Sequence, residues 1–165
     1  MEFKSQLTRQ DYLEFNKYIL FKTRIKRNLI FVIVITLLWI VLLNYNQPLD
    51  FIAILIELIV FSILWSTLYL LIYGIAFLKI RKMPDENGSI LEEKTYIFSE
   101  EGLKQISTNS ESFTKWNAFK SIEENKKYIF LFVDKIAAYV IPKRVFQDSK
   151  EMNDFVDFLK GKIKK

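Results

Sequence analysis

Three pairs of adjacent carboxylates, Glu92-Glu93, Glu100-Glu101 and Glu123-Glu124, come closest to a catalytic constellation in this chain of 165 residues. Glycosidase-type acid–base chemistry needs two carboxyls that face one cleft and hold separated pKa values. Neighbours on a strand point to opposite faces, and two of these pairs adjoin turn signals, so they are read as solvated surface groups. The chain has no cysteine and no histidine. That removes thiol nucleophiles, disulfides, His-ligated metal sites and Ser-His-Asp triads. It also removes the side chain that most readily shuttles protons near neutrality. Four glycines supply no phosphate-cradling loop. The stretch "NKKYIFLFVDK" interleaves bases with aromatics, but a strand apolar on both faces accounts for it better than a nucleic-acid surface. The expectation is a protein with no enzymatic activity, no cofactor, no metal and no nucleic-acid partner.

Four residues remain as candidates for contact. Trp116 either lines a ligand pocket or is the large core residue of a small β domain, and the core reading is preferred. Lys143 and Arg144, in "YVIPKRVF", sit at a corner after a proline that ends a strand's ladder. They are read as solvated, or as contacts for an anionic head group. Glu57 is the single acid within a long apolar run. Inside a bilayer such a residue marks a proton or cation site or a partner for another helix. Measured back from Leu78, a hydrocarbon core of about 30 Å reaches only to about Leu58, which puts Glu57 at the outer interface, the preferred reading; a helix that enters at Phe51 instead carries it several residues deep.

The elements that position these residues divide sharply along the chain. Residues 1–82 carry ten Lys/Arg against five Asp/Glu, and residues 83–165 carry fourteen of each, so the net charge of +5 belongs to the first half. That excess flanks two apolar runs, about 28–46 and 50–78, each long enough to cross a bilayer at about 1.5 Å per residue. Lys22, Arg24, Lys26 and Arg27 precede the first, and Lys79, Arg81 and Lys82 follow the second. The connecting "NYNQPLD" has neither lysine nor arginine. By the positive-inside rule both termini are cytoplasmic and the short loop is outside. Pro48 is assigned to the first turn of the second helix.

Residues 1–27 read as a short strand, "MEFKSQL", and a helix from Arg9 opened by a Thr8–Asp11 capping box. Its stripe of Tyr12, Phe15 and Ile19 is expected to pack on the C-terminal domain. "MPDENGS", residues 83–89, is the linker. Over residues 90–165 six strands follow in meander order: "EEKTYIFSE", "LKQIST", "SFTKW", "FKSIEE", "KYIFLFVD" and "IAAYVIP". A helix then opens at an Asp148–Glu151 capping pair and presents Met152, Phe155, Val156, Leu159 and Ile163 as one apolar stripe. The fold class is α+β: a two-helix transmembrane hairpin plus a small antiparallel β-barrel or sheet closed by the C-terminal helix.

"LTRQDYLEFNKY", "YIFSEEGL", "WNAFKSI", "YIFLF" and "YVIPKRVF", in that order, resemble the YcxB-like family of bacterial membrane proteins. The resemblance implies a membrane hairpin in the bacterial cytoplasmic membrane and a C-terminal domain similar to a pleckstrin-homology-like barrel. It carries no catalytic residues over. The expected function is a membrane-anchored scaffold or binding protein whose β domain recognises a protein partner, or that self-associates. The alternatives are an anionic-lipid sensor through Lys143 and Arg144, and an oligomeric transporter component using Glu57.

Overall fold

The computed structural model describes residues 1–23, 25–48, 50–85 and 88–163, the side chain of Lys26 excepted. Arg24 of the basic flank, Leu49 of the connecting loop, and Glu86 and Asn87 of the expected linker lie outside the described residues. The chain forms two compact units, Met1–Phe15 with Pro84–Lys165, and Asn16–Met83.

In the first unit the opening residues are part of the β domain. Strand β1 (Glu2–Ser5) pairs antiparallel with β2 (Lys94–Phe98), which pairs with β3 (Gly102–Ile106), which pairs with β4 (Glu111–Lys115). A second sheet holds β5 (Ser121–Glu124), β6 (Tyr128–Phe132) and β7 (Ala138–Pro142) in sequence order. The expected meander is therefore broken once. Trp116–Ala118 form a 3-10 turn after β4, and among the described residues β4 has no ladder to β5. The expected barrel is not closed; the domain is two antiparallel sheets, of four and three strands.

Between the sheets lies an aromatic-rich core. Phe3 on β1 stacks on Phe98 at 5.4 Å between ring centroids and meets Phe146 and Phe155 edge-on at 5.6 Å each. Phe155, Val156 and Leu159 of helix α4 (Ser149–Lys162) complete it, so the predicted stripe faces inward. Asp148 caps α4 by accepting the Glu151 N–H at 2.8 Å, and Glu151 reaches back to the Gln147 N–H at 2.8 Å. Strand β6 is buried at every position. Ile129 and Leu131 enter the core. Phe130, on the opposite face, meets Phe15 of helix α1 (Arg9–Thr23) at 5.7 Å.

Gly102 opens β3 where two backbones approach closely. A Cβ there would lie 2.3 Å from the Thr114 carbonyl oxygen and 3.0 Å from the Lys115 Cα. No positive φ is involved; the constraint is the neighbouring strand. Gly102→Ala must open the β3–β4 ladder, at a cost of about 2–3 kcal/mol. We expect a thermal midpoint lower by about 10 °C, read by circular dichroism of the purified protein.

The second unit holds the last residues of α1, helix α2 (Ile25–Leu43) and helix α3 (Phe51–Lys82). Helix α3 starts at Phe51, not at Pro48. Its cap is Asp50, whose Oδ1 accepts the N–H groups of Ile52 at 2.9 Å and Ala53 at 3.3 Å. A side-chain acceptor satisfies two orphan donors there, which proline cannot do. At the other end Lys79, Arg81 and Lys82 occupy the last turn, where cations suit the negative end of the helix dipole. Helices α2 and α3 meet through Trp39 and Phe61, 5.3 Å apart, and through a hydrogen bond from Asn28 Nδ2 to the Tyr73 hydroxyl. Helix α3 has no buried residue, and among the described residues it is the one helix that by itself meets the length and apolarity needed to cross a bilayer, α2 doing so as a bent pair with α1.

Candidate functional site

The most constrained polar cluster is built around a residue that the sequence marks only as a cap. Asp11, in the first turn of α1, is 3% exposed. The capping box forms as expected: Asp11 Oδ2 accepts the Thr8 N–H at 2.8 Å, and the Thr8 hydroxyl oxygen accepts the Asp11 N–H at 3.1 Å. The carboxylate also accepts the Tyr128 hydroxyl at 2.7 Å and both ends of the Arg144 guanidinium, at 2.8 and 2.6 Å. A third Arg144 bond reaches the Gln6 carbonyl at 3.2 Å. Burial pushes the Asp11 carboxyl up, but the guanidinium, the Thr8 donors and the Tyr128 hydroxyl outweigh it and hold the group well below the ordinary aspartate range. The same contact raises the Tyr128 phenol, through burial first and the Asp11 hydrogen bond and charge second. Helix α1, strand β6 and the corner after β7 are tied together here, across 133 residues of sequence between Asp11 and Arg144.

Arg144 is thus not simply a solvated corner. Its side chain is 51% exposed, with its fork spent on Asp11. Lys143, in the same 3-10 turn, donates from Nζ to Glu124 Oε2 at 2.8 Å. That hydrogen bond leads the causes that depress the Glu124 carboxyl. Both cations of the anticipated head-group contact face acids of their own chain. Val145 and Phe146 do return to the core.

Trp116 is 9% exposed and sits in the core, 5.5 Å from Phe119 and 5.9 Å from Phe158 between ring centroids. Its indole N–H donates to the Ser99 carbonyl at 3.1 Å, which satisfies the polar atom that burial would otherwise penalise. Glu57 lies in the other unit, near the start of α3. It accepts from Asn44 Nδ2 at 3.2 Å, and Asn44 also donates to the Ile40 carbonyl at 2.9 Å. The candidates therefore do not converge: Lys143 and Arg144 adjoin, Trp116 is internal, and Glu57 belongs to a different unit. Among the described residues no group of three or more acidic, cysteine or histidine side chains could hold a metal ion.

Together these features define a class: an α+β protein whose two-sheet domain takes its first strand from one side of a helical insertion and its remaining strands from the other. Residues 98–159 match the model of the YcxB-like protein family, so the chain carries a YcxB-like region, as its motifs led us to expect. The match runs from the end of β2 to Leu159 in α4 and omits the apolar helices. No curated protein and no solved structure matches the chain.

Proposed function

We propose that the protein is a membrane-anchored, non-enzymatic binding or scaffold protein, with α2 and α3 as a transmembrane hairpin and a pleckstrin-homology-like domain in the cytoplasm that recognises a protein partner. One observation carries the membrane topology. Glu2 to Ser5 pair residue for residue with Ile97 to Lys94, so the two ends of the helical insertion must lie on the same side of any bilayer. A single crossing by α3 would separate them; an even number of crossings keeps them together. Helix α2, with 19 residues, spans about 28 Å at 1.5 Å per residue, close to the hydrocarbon thickness. Helix α3, with 32 residues, exceeds it and reaches beyond one face or tilts. The basic last turn of α3 and Lys22 at the end of α1 orient both termini inward.

Open ladders support partner recognition. Among the described residues strands β1, β4, β5 and β7 each pair on one side, and an extended peptide can add to such an edge. The alternative of an anionic-lipid site at Lys143 and Arg144 requires breaking the Glu124 and Asp11 pairs first. A transport role for Glu57 requires further copies, because two helices enclose no pathway.

Alkaline carbonate washing of membranes, followed by affinity recovery from mild detergent, tests the proposal. The protein should stay in the pellet and then co-purify with a stoichiometric partner protein. Release by carbonate would refute the anchor, and repeated recovery of the bare chain would refute the scaffold.

A further inference from the structure

Strand β4, "ESFTK", is an open edge whose sequence complements itself when reversed. Its register on β3 runs unbroken from the Glu111–Ile106 pair to the Lys115–Gly102 pair. In the turn before it the Ser107 N–H donates to the Ser110 carbonyl at 2.8 Å, and alternation along an antiparallel ladder sets the rest. The backbone groups of Ser112 and Thr114 face β3, and those of Glu111, Phe113 and Lys115 point away from it. The side chains of these three residues share the outer face of the sheet, because Thr114 turns inward to the Tyr139 hydroxyl at 2.7 Å. All three are exposed, Phe113 at 49%. The other edges carry devices against further pairing. Pro142, on the free side of β7, has no N–H to offer. On β5 the Lys120 N–H, one residue before the Ser121–Phe132 pair, takes the Phe132 carbonyl at 2.7 Å, a bulge. Strand β1 lies against the Lys143–Val145 turn. Strand β4 has instead two charges of opposite sign, one at each end.

We infer that β4 is a self-association edge, occupied by β4 of a second copy running antiparallel across a two-fold axis at Phe113. The inference rests on the reading of open ladders as recognition edges and names the occupant of one of them. In this register Glu111 of each copy faces Lys115 of the other, and Phe113 faces Phe113. These are the residues whose backbone groups point outward, so each facing pair exchanges both of its N–H···O bonds. Opposite charges and aromatic rings placed directly across a ladder attract, and like charges there repel. A parallel pairing in register would set Glu111 against Glu111 and Lys115 against Lys115. A slip of two residues would break both ion pairs. The charges that guard β4 against other strands thus select its own copy. One patch serves both partners, as a closed two-fold dimer requires. Lys104 Nζ, 2.7 Å from Glu111 Oε1, holds the carboxylate on the outer face.

The chain has no cysteine, so an introduced thiol reports one position. Phe113→Cys brings two thiols across the axis, with Cα atoms about 5.5 Å apart and within disulfide reach. Lys104→Cys lies on β3 opposite Phe113, which separates its thiols by three strand spacings, about 14 Å. Cells carrying the full-length variants are broken without detergent, oxidised with copper phenanthroline and run on non-reducing gels. The expected result is a shift of most Phe113→Cys chain to twice the monomer mass, with Lys104→Cys remaining monomeric. Adding Lys115→Glu or Glu111→Lys to Phe113→Cys sets like charges across the axis twice and should cut the dimer several-fold. Co-expressed with tags of different mass, these two charge variants should cross-link again as the mixed pair, because every Glu then faces a Lys. Monomeric Phe113→Cys overturns the self-association edge and leaves intact a scaffold whose edges take another protein. Equal cross-linking of Lys104→Cys, or dimers indifferent to the charge reversals, report collision and overturn it as well. Charge-dependent dimers in a chain that recovers no partner protein from mild detergent refute the scaffold and uphold this edge.

Discussion

Residues 84–165 expressed alone are expected to fail to fold, and residues 1–15 joined to them by a short flexible linker are expected to restore a cooperative domain. Without β1, the β2 backbone loses a four-residue ladder, and Phe98 and Phe155 lose the Phe3 ring that covers them. Without the start of α1, Tyr128 loses its hydroxyl acceptor and Phe130 loses the Phe15 ring. Exposing these rings costs several kcal/mol at about 25 cal/mol per Å², comparable with the whole stability of a small domain. The joined version is feasible because the two pieces lie close together: the Arg9 guanidine Nε donates to the Pro84 carbonyl at 3.3 Å. A linker of about ten Gly/Ser residues reaches about 17 Å on average. Solubility, a sharp thermal transition and dispersed amide resonances would identify the folded form. A well-folded 84–165 fragment would show that the first strand is dispensable and overturn the account of the core.

Asp11→Ala is expected to cost the joined domain about 3 kcal/mol, from a lost helix cap and a buried Tyr128 hydroxyl left without its acceptor. For about a hundred residues that is a fall of roughly 15 °C in thermal midpoint. Arg144, half exposed, can return to water when Asp11 is removed. Asp11 cannot do so when Arg144 is removed, so Arg144→Ala leaves a buried carboxylate that takes up a proton near a higher pKa. Arg144→Lys keeps the charge but loses the bidentate geometry and rescues only part of the loss. The pH dependence has a definite sign. The folded pKa of Asp11 lies below its ordinary value of 3.8, so its contribution is complete above that value and fades as pH falls toward the folded pKa. The stability gap between the native domain and Asp11→Asn should therefore be constant from pH 7 to 5 and narrow below about pH 4. A gap that widens in acid would show that Asp11 is not held as the carboxylate.

Most elements announce themselves in the sequence because their signals are local. The Gly102, Asn109-Ser110 and Asn125-Lys126 turns punctuate alternating apolar runs, and the strands lie between them. Helix α4 follows from its stripe and its cap. Three features were not legible, for one physical reason: each depends on partners distant in sequence. The period of "MEFKSQL" identifies a strand but not its mate at Lys94–Phe98. The composition of "WNAFK" does not announce that the ladder stops there; that follows from Trp116 turning inward to bond Ser99. Asp11 reads as a local cap, and nothing nearby indicates that Arg144 and Tyr128 will meet it. One signal was available: "YIFLF" is apolar on both faces, so something must cover its second side, and the only amphipathic segment left over was the start of α1. The Pro48 assignment failed differently, because Asp50 two residues later is a stronger helix starter than a proline.

The pairing of β1 with β2 also imposes a schedule on synthesis. The Phe3 partner, Tyr96, leaves the ribosome more than ninety residues later, after both apolar segments have been made. At about 5–20 residues per second, the N-terminal strand waits roughly 5–20 s without its mate. During that interval a translating ribosome holds an adhesive segment in the open, so nascent chains on one polysome are the setting in which strand exchange between copies is most exposed to chance.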